Sequence, residues 1–123
     1  MDVYKTKYFE RWQKKSPVTD EFLCQAVKEM VEGIYDADLG QGLYKKRVAI
    51  ENKGKRAGAR TLLATNLDNK WFFVFGFKKS EKANIKTKEK EALQTLAQQF
   101  LALTEHELRL FVEDGRLLEI CHG

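Results

Sequence analysis

The run from Lys70 to Phe77, KWFFVFGF, narrows the choice of folds more than any other stretch. Its bulky apolar side chains fall on both parities of a strand, so neither face can be left to water. Such a strand belongs in the middle of a sheet covered, at least in part, on both sides. Gly76 near its end would let another backbone approach closely. Asp68-Asn69 before it marks a turn, and Lys78 to Asn84 after it reads as a polar connection.

Two more strands are expected upstream. In LYKKRVAI, from Leu43 to Ile50, Tyr44, Val48 and Ile50 alternate with Lys45, Arg47 and Ala49. A strand there turns Lys45 and Arg47 onto one face and apolar groups onto the other. Asn52 to Ala59, with Gly54 and Gly58, interrupts the alternation and reads as a loop or wide hairpin. Arg60 then opens a second apolar run, Thr61 to Thr65, which pairs antiparallel and returns Arg60 beside Lys45 and Arg47.

Helical signals flank these strands. Val3-Tyr4-Lys5 reads as a short strand, and Tyr8, Phe9 and Trp12 have helical spacing that stops at Ser16-Pro17. Thr19 is expected to cap a second helix whose stripe is Phe22, Leu23, Ala26, Val27, Met30, Val31 and Ile34, with Gly33 as a stop signal. Asp36 to Gly42, DADLGQG, reads as a polar connection. Thr87 can cap a helix that places Leu93, Leu96, Ala97, Phe100 and Leu101 on one face. Thr104 to Glu107 fits a capping box and favours a short last helix, while Glu113 to Arg116 spells a type I′ hairpin as the alternative. Leu118 and Ile120 read as a terminal strand or an extended tail.

The expected class is α+β: one domain over residues 1–123, a small antiparallel sheet with two N-terminal helices and a C-terminal helix packed on it. The helices are expected on one face, with the other partly open. A chain of 123 residues, 43% hydrophobic, suffices for one core and not for two. No apolar run approaches ~18 residues, and Lys5, Lys7 and Glu10 interrupt any signal-peptide pattern. A soluble, cytoplasmic protein without membrane contact is expected. Cys24 and Cys121 lack metal-ligand spacing and are read as reduced and packed rather than bridged.

Charge is concentrated in the middle of the chain. Residues 1–44 hold six Lys/Arg and eight Asp/Glu, residues 45–90 fourteen and four, and residues 91–123 two and six, giving balances of −2, +10 and −4. A basic centre between acidic ends points to a nucleic-acid or acidic-protein partner.

Most enzyme constellations are missing. His106 and His122 are isolated and read as surface residues; no HxxxH or CxxC occurs, and NKGKRAGAR lacks P-loop spacing. No metal and no cofactor is expected. Clustered Lys and Arg can nonetheless support RNA cleavage by attack of a 2′-hydroxyl on the adjacent phosphate. Guanidinium forks match phosphate oxygens, and a lysine among like charges has its pKa lowered towards neutrality, which eases proton transfer.

The segment LYKKRVAIENKGKRAGARTLLAT, followed by WFFVFGFKKSEKANI, resembles the RelE/ParE superfamily of toxins from type II toxin–antitoxin modules. It is nearest to RelE/HigB-like members with a GKGKRGGxR-type loop. The resemblance implies ribosome-dependent cleavage of messenger RNA in the A site. It also implies a cognate antitoxin that occludes the basic face, a small helix-turn-helix protein being one form.

Position by position, Lys45 and Arg47 match residues for proton transfer and phosphate binding. Arg60 matches a transition-state stabiliser, and Lys79 the basic residue after the aromatic strand. Lys53, Lys55 and Arg56 match loop positions that meet RNA, with Lys46, Phe77 and Lys78 added to that surface. Several active members have an arginine where this chain has Ser80, a tyrosine near Lys86 and a tyrosine in place of Phe77. A gyrase-poisoning toxin of the ParE kind, or a relative that only binds its antitoxin, is the alternative to a nuclease.

Overall fold

The computed structural model describes residues 2–50 and 54–122, with the side chains of 54–57 outside that set. In chain order the elements are β1 (Asp2–Thr6), α1 (Lys7–Lys14), α2 (Asp20–Val31), β2 (Ala37–Gly40), β3 (Leu43–Ile50), β4 (Gly54–Thr65), β5 (Lys70–Lys78), α3 (Thr87–Leu101), α4 (Glu105–Glu113) and β6 (Leu117–Ile120). The strands form one sheet in the order β2-β3-β4-β5-β1-β6. The α+β class is as expected, and the aromatic β5 lies between β4 and β1, inside the sheet. The sheet is mixed rather than purely antiparallel, because β1 runs parallel to β5.

Helices on a single face were expected; the structure has them on both. On one side Phe9, Leu23, Val27 and Met30 from α1 and α2 pack with Val48, Leu63, Trp71 and Phe73. On the other, Ala97, Phe100 and Leu108 from α3 and α4 pack with Leu43, Leu62, Phe72 and Leu117. The physical reason lies in β5 itself: large apolar groups on both parities need two covering layers.

An irregularity in β5 decides which face its last residues take. Leu63 pairs with Phe73 but Leu62 pairs with Phe75, so one extra residue, Val74, is inserted on the β5 side. The bulge reverses the parity of the strand. Trp71 and Phe73 therefore face α1 and α2, whereas Phe75, and with it Phe77, face the α3 side.

Several local expectations also change. DADLGQG is not only a connection, since it contains β2, which pairs with β3 through Ala37↔Lys45 and Asp38↔Tyr44. The Asp38 carboxylate accepts from the Gly40 N–H at 2.9 Å, and Gly42 closes the turn at φ +81. A Cβ on Gly42 would sit 2.6 Å from Leu101 Cδ1, so α3 packs directly on this turn. Of the loop or wide hairpin expected over Asn52 to Ala59, the part from Gly54 to Ala59 is strand, with β4 beginning at Gly54 opposite Ile50 in an antiparallel β3–β4 pair; Asn52 and Lys53 lie outside the described residues. At Gly76 the close neighbour is not backbone: a Cβ there would lie 2.4 Å from the Trp12 ring of α1. The N-cap of α3 is Lys86, not Thr87, and its N–H donates to Glu89 Oε1 at 2.9 Å.

The last helix is present, with Thr104 and Glu107 forming the reciprocal capping box at 2.9 and 3.1 Å. Leu117–Ile120 is a strand paired antiparallel with β1. Beside it the cysteine expectation is overturned: Cys24 on α2 and Cys121 just past β6 are disulfide-bonded, with Cα atoms 5.5 Å apart. They are 97 residues apart in sequence, so spacing could not reveal that the fold brings them together.

Buried Lys5 fastens the start of the chain. Its Nζ lies 2.9 Å from both Gln13 Oε1 and Asp20 Oδ1, joining β1 to α1 and α2. Partial burial alone would raise the Asp20 pKa, but the Lys5 and Gln13 hydrogen bonds hold it below the ordinary carboxylate value. Among the described residues no helix is long and apolar enough to cross a membrane.

Candidate nucleic-acid interface

The β3-β4-β5 ladder brings distant cations together. Arg47 stands directly opposite Arg60, which stands opposite Phe77; two residues along, Lys45 stands opposite Leu62, which stands opposite Phe75. Directly paired residues share a face, and so do residues two apart on one strand. Lys45, Arg47 and Arg60 are thus on the face that carries Phe75 and Phe77.

Their surroundings differ. Arg47 is 47% exposed at its side chain, and its Nε is 3.1 Å from Asp36 Oδ2. Arg60 is only 7% exposed, with Nη1 donating to the Gly58 carbonyl at 3.3 Å. Among the described residues no carboxylate lies within ion-pair distance of Lys45 or Arg60. A guanidinium held against the sheet while its neighbour reaches solvent is suited to gripping a phosphate, because the fork presents paired donors.

The other expected contacts are not all brought to this face. Lys46 has the opposite parity and is buried, with Nζ 2.7 Å from Glu29 Oε1 of α2. It therefore belongs to the β3–α2 packing and not to an RNA surface. Phe77 is 4% exposed and offers no open ring for stacking; its ring lies 6.1 Å from that of Phe75. Lys78 pairs with Ala59 and so takes the α1–α2 side. Lys79 is exposed in the turn after β5. Lys53 lies outside the described residues, as do the side chains of Lys55 and Arg56.

A family model for the RelE toxin of the RelE/RelB toxin–antitoxin system matches residues 1–120, which takes in all ten elements. The chain belongs to the RelE toxin family. No curated relative matches it. This RelE-family protein is the toxin component of a toxin–antitoxin system, and an antitoxin is its partner.

Two acids that pair with the β3 cations had no signal in the sequence. Asp36 falls in the polar DADLGQG stretch, yet its N–H donates to the Lys45 carbonyl at 2.9 Å while its carboxylate holds Arg47. Glu29 is one of several acids on α2, and only the fold shows that it faces Lys46. Lys46→Ala is expected to cost the toxin about 2–3 kcal/mol of stability, because it takes the ammonium away from a largely buried carboxylate. Urea unfolding checks this, and an unchanged midpoint would show that the pair contributes nothing.

Proposed function

We propose that this toxin is an endoribonuclease acting on messenger RNA at the ribosome. The observation that supports this most directly is the Arg47–Arg60 pair on one sheet face, with Lys45 one step along. In the reaction the 2′-oxygen attacks the adjacent phosphorus, and the bond from phosphorus to the 5′-oxygen breaks. A 2′,3′-cyclic phosphate and a 5′-hydroxyl end result. Lys45 takes the proton from the 2′-hydroxyl, Arg60 and Arg47 bind the non-bridging oxygens as negative charge builds, and Lys79 approaches the leaving oxygen. No redox partner is consumed, and the proton removed from the nucleophile balances the one delivered to the leaving group.

The same basic face would be the surface an acidic antitoxin segment covers. A central segment with a balance of +10 raises the on-rate of such a partner. The test is to incubate purified toxin with programmed ribosomes and map the ends of the message. Cuts inside the vacant A-site codon, with 5′-hydroxyl ends, are expected. An intact message alongside inhibited DNA supercoiling by gyrase would overturn the nuclease reading.

A further inference from the structure

Next to the cationic face lies a groove of about 430 Å³ that the proposed cleavage does not use. Its floor and walls include Tyr8, Val74, Phe75, Leu93, Leu96 and Phe100. It forms where β1 ends: β1 pairs with β5 only as far as Phe73, leaving the space beside Val74 and Phe75 to Tyr8 of α1 and to the apolar stripe of α3. Tyr8 is 60% exposed, an unusual state for a large aromatic ring, and is nearly parallel to Phe75, with centroids 6.2 Å apart at 13°.

The rim is cationic. Lys7 and Arg116 line it, Arg116 with its Nε 2.9 Å from Asp114 Oδ2 and its guanidinium over Phe111, and Lys82 Nζ stands 5.5 Å from the Phe75 centroid. The acid among the lining residues, Glu89, is already engaged: both its carboxylate oxygens lie 2.7 Å from Lys82 Nζ. Apolar aromatic walls on the sheet face that carries Lys45, Arg47 and Arg60 suit a flat base attached to a phosphate chain held by those cations.

The groove also has the right address. Phe75 is opposite Leu62, which is opposite Lys45, and Phe77 two residues on is opposite Arg60. Two residues of strand span roughly 7 Å, within reach of a base whose own or neighbouring phosphate sits on the arginines. We infer that this groove is a nucleobase site, in which Tyr8 stacks on a base of the single-stranded RNA held by Lys45, Arg47 and Arg60. The inference rests on the RNA reading of the basic face and adds a contact to the base rather than to the backbone.

The experiment is an anisotropy titration at low salt with a short, uncleavable 2′-O-methyl RNA and with an abasic strand of the same length. Tyr8→Ala is expected to weaken binding of the intact strand roughly tenfold and to leave the abasic strand unchanged, while Tyr8→Phe binds both as the parent does. Arg60→Ala is expected to weaken both strands. If Tyr8→Ala affects the two strands equally, or neither, the base site is overturned while the basic face stands. If Arg60→Ala also changes nothing, the RNA reading falls as well. Loss of antitoxin capture by Tyr8→Ala with RNA binding intact would assign the groove to the antitoxin and overturn the base site.

Discussion

Arg60→Ala is expected to slow cleavage of ribosome-bound message by about 10²–10³-fold and to relieve growth arrest on expression. The size follows from where the side chain sits. Arg60 is 7% exposed and lies across the ladder from Arg47, so its guanidinium is fixed before any phosphate arrives. A donor already oriented against the sheet gives its full electrostatic stabilisation when charge develops, without first being reorganised. Arg60→Lys keeps the charge but loses the paired donors, and an intermediate loss is expected from it. Single-turnover cleavage on programmed ribosomes is the measurement. Thermal melts of both variants separate lost chemistry from lost fold, because Arg60 also donates to the Gly58 carbonyl within its own strand. Wild-type cleavage by a folded Arg60→Ala protein would remove the arginine pair from the mechanism.

The second large effect concerns stability. Reduction of the Cys24–Cys121 disulfide, or Cys24→Ser, is expected to cost about 4 kcal/mol and to lower the melting temperature by roughly 10–20 °C. The bond closes a 97-residue separation in a chain of 123, and so removes many conformations that the unfolded chain would otherwise explore. It also ties α2, which carries Glu29, to the residue just after β6. Melts with and without a dithiol reductant give the answer. The parent should shift and Cys24→Ser should not; a parent melt indifferent to reductant would mean that the two thiols are not joined in solution. The bond also gives the toxin a dependence on redox conditions that the sequence reading, with both cysteines reduced, did not contain.

Much of the fold could be read before any coordinates. The Thr19 and Thr104 caps, the turn at Asp68-Asn69 and the inside position of KWFFVFGF follow from local chemistry, as do Leu23, Ala26, Val27 and Met30 of the α2 stripe; its last members, Val31 and Ile34, are exposed instead, because α2 ends at Val31. Such features depend on residues within a turn or two of one another, and that is the range over which periodicity and capping operate. The helix at residues 105–113 won over the hairpin for the same reason: its capping box satisfies the first-turn amides, and Gly115 then ends the helix at φ +82. Where the reading failed, the cause lay at long range. DADLGQG becomes β2 because β3 offers an edge and because Gln94 and Gln98 of α3 donate to the carbonyls of Leu39 and Gln41. Neither partner is visible within the seven residues.

For the candidate site the division is sharper. Alternation by itself determined that Lys45 and Arg47 share a face, since side chains two apart on a strand point to the same side; the RNA contact expected of Lys46 ran against that alternation. The apolar residues on both parities of β5 determined its place inside the sheet with at least partial cover on both sides, but not that helices would supply it on each. Only the tertiary structure decided the rest. The register set Arg60 against Arg47, and the inserted Val74 turned Phe75 and Phe77 to the same face. Glu29 on α2 took Lys46 into the core, and Asp36 took the Nε of Arg47. A one-residue shift in pairing exchanges the two faces of a strand at little local cost. What selects between them is the summed packing of both cores, a property of the whole chain and not of any segment.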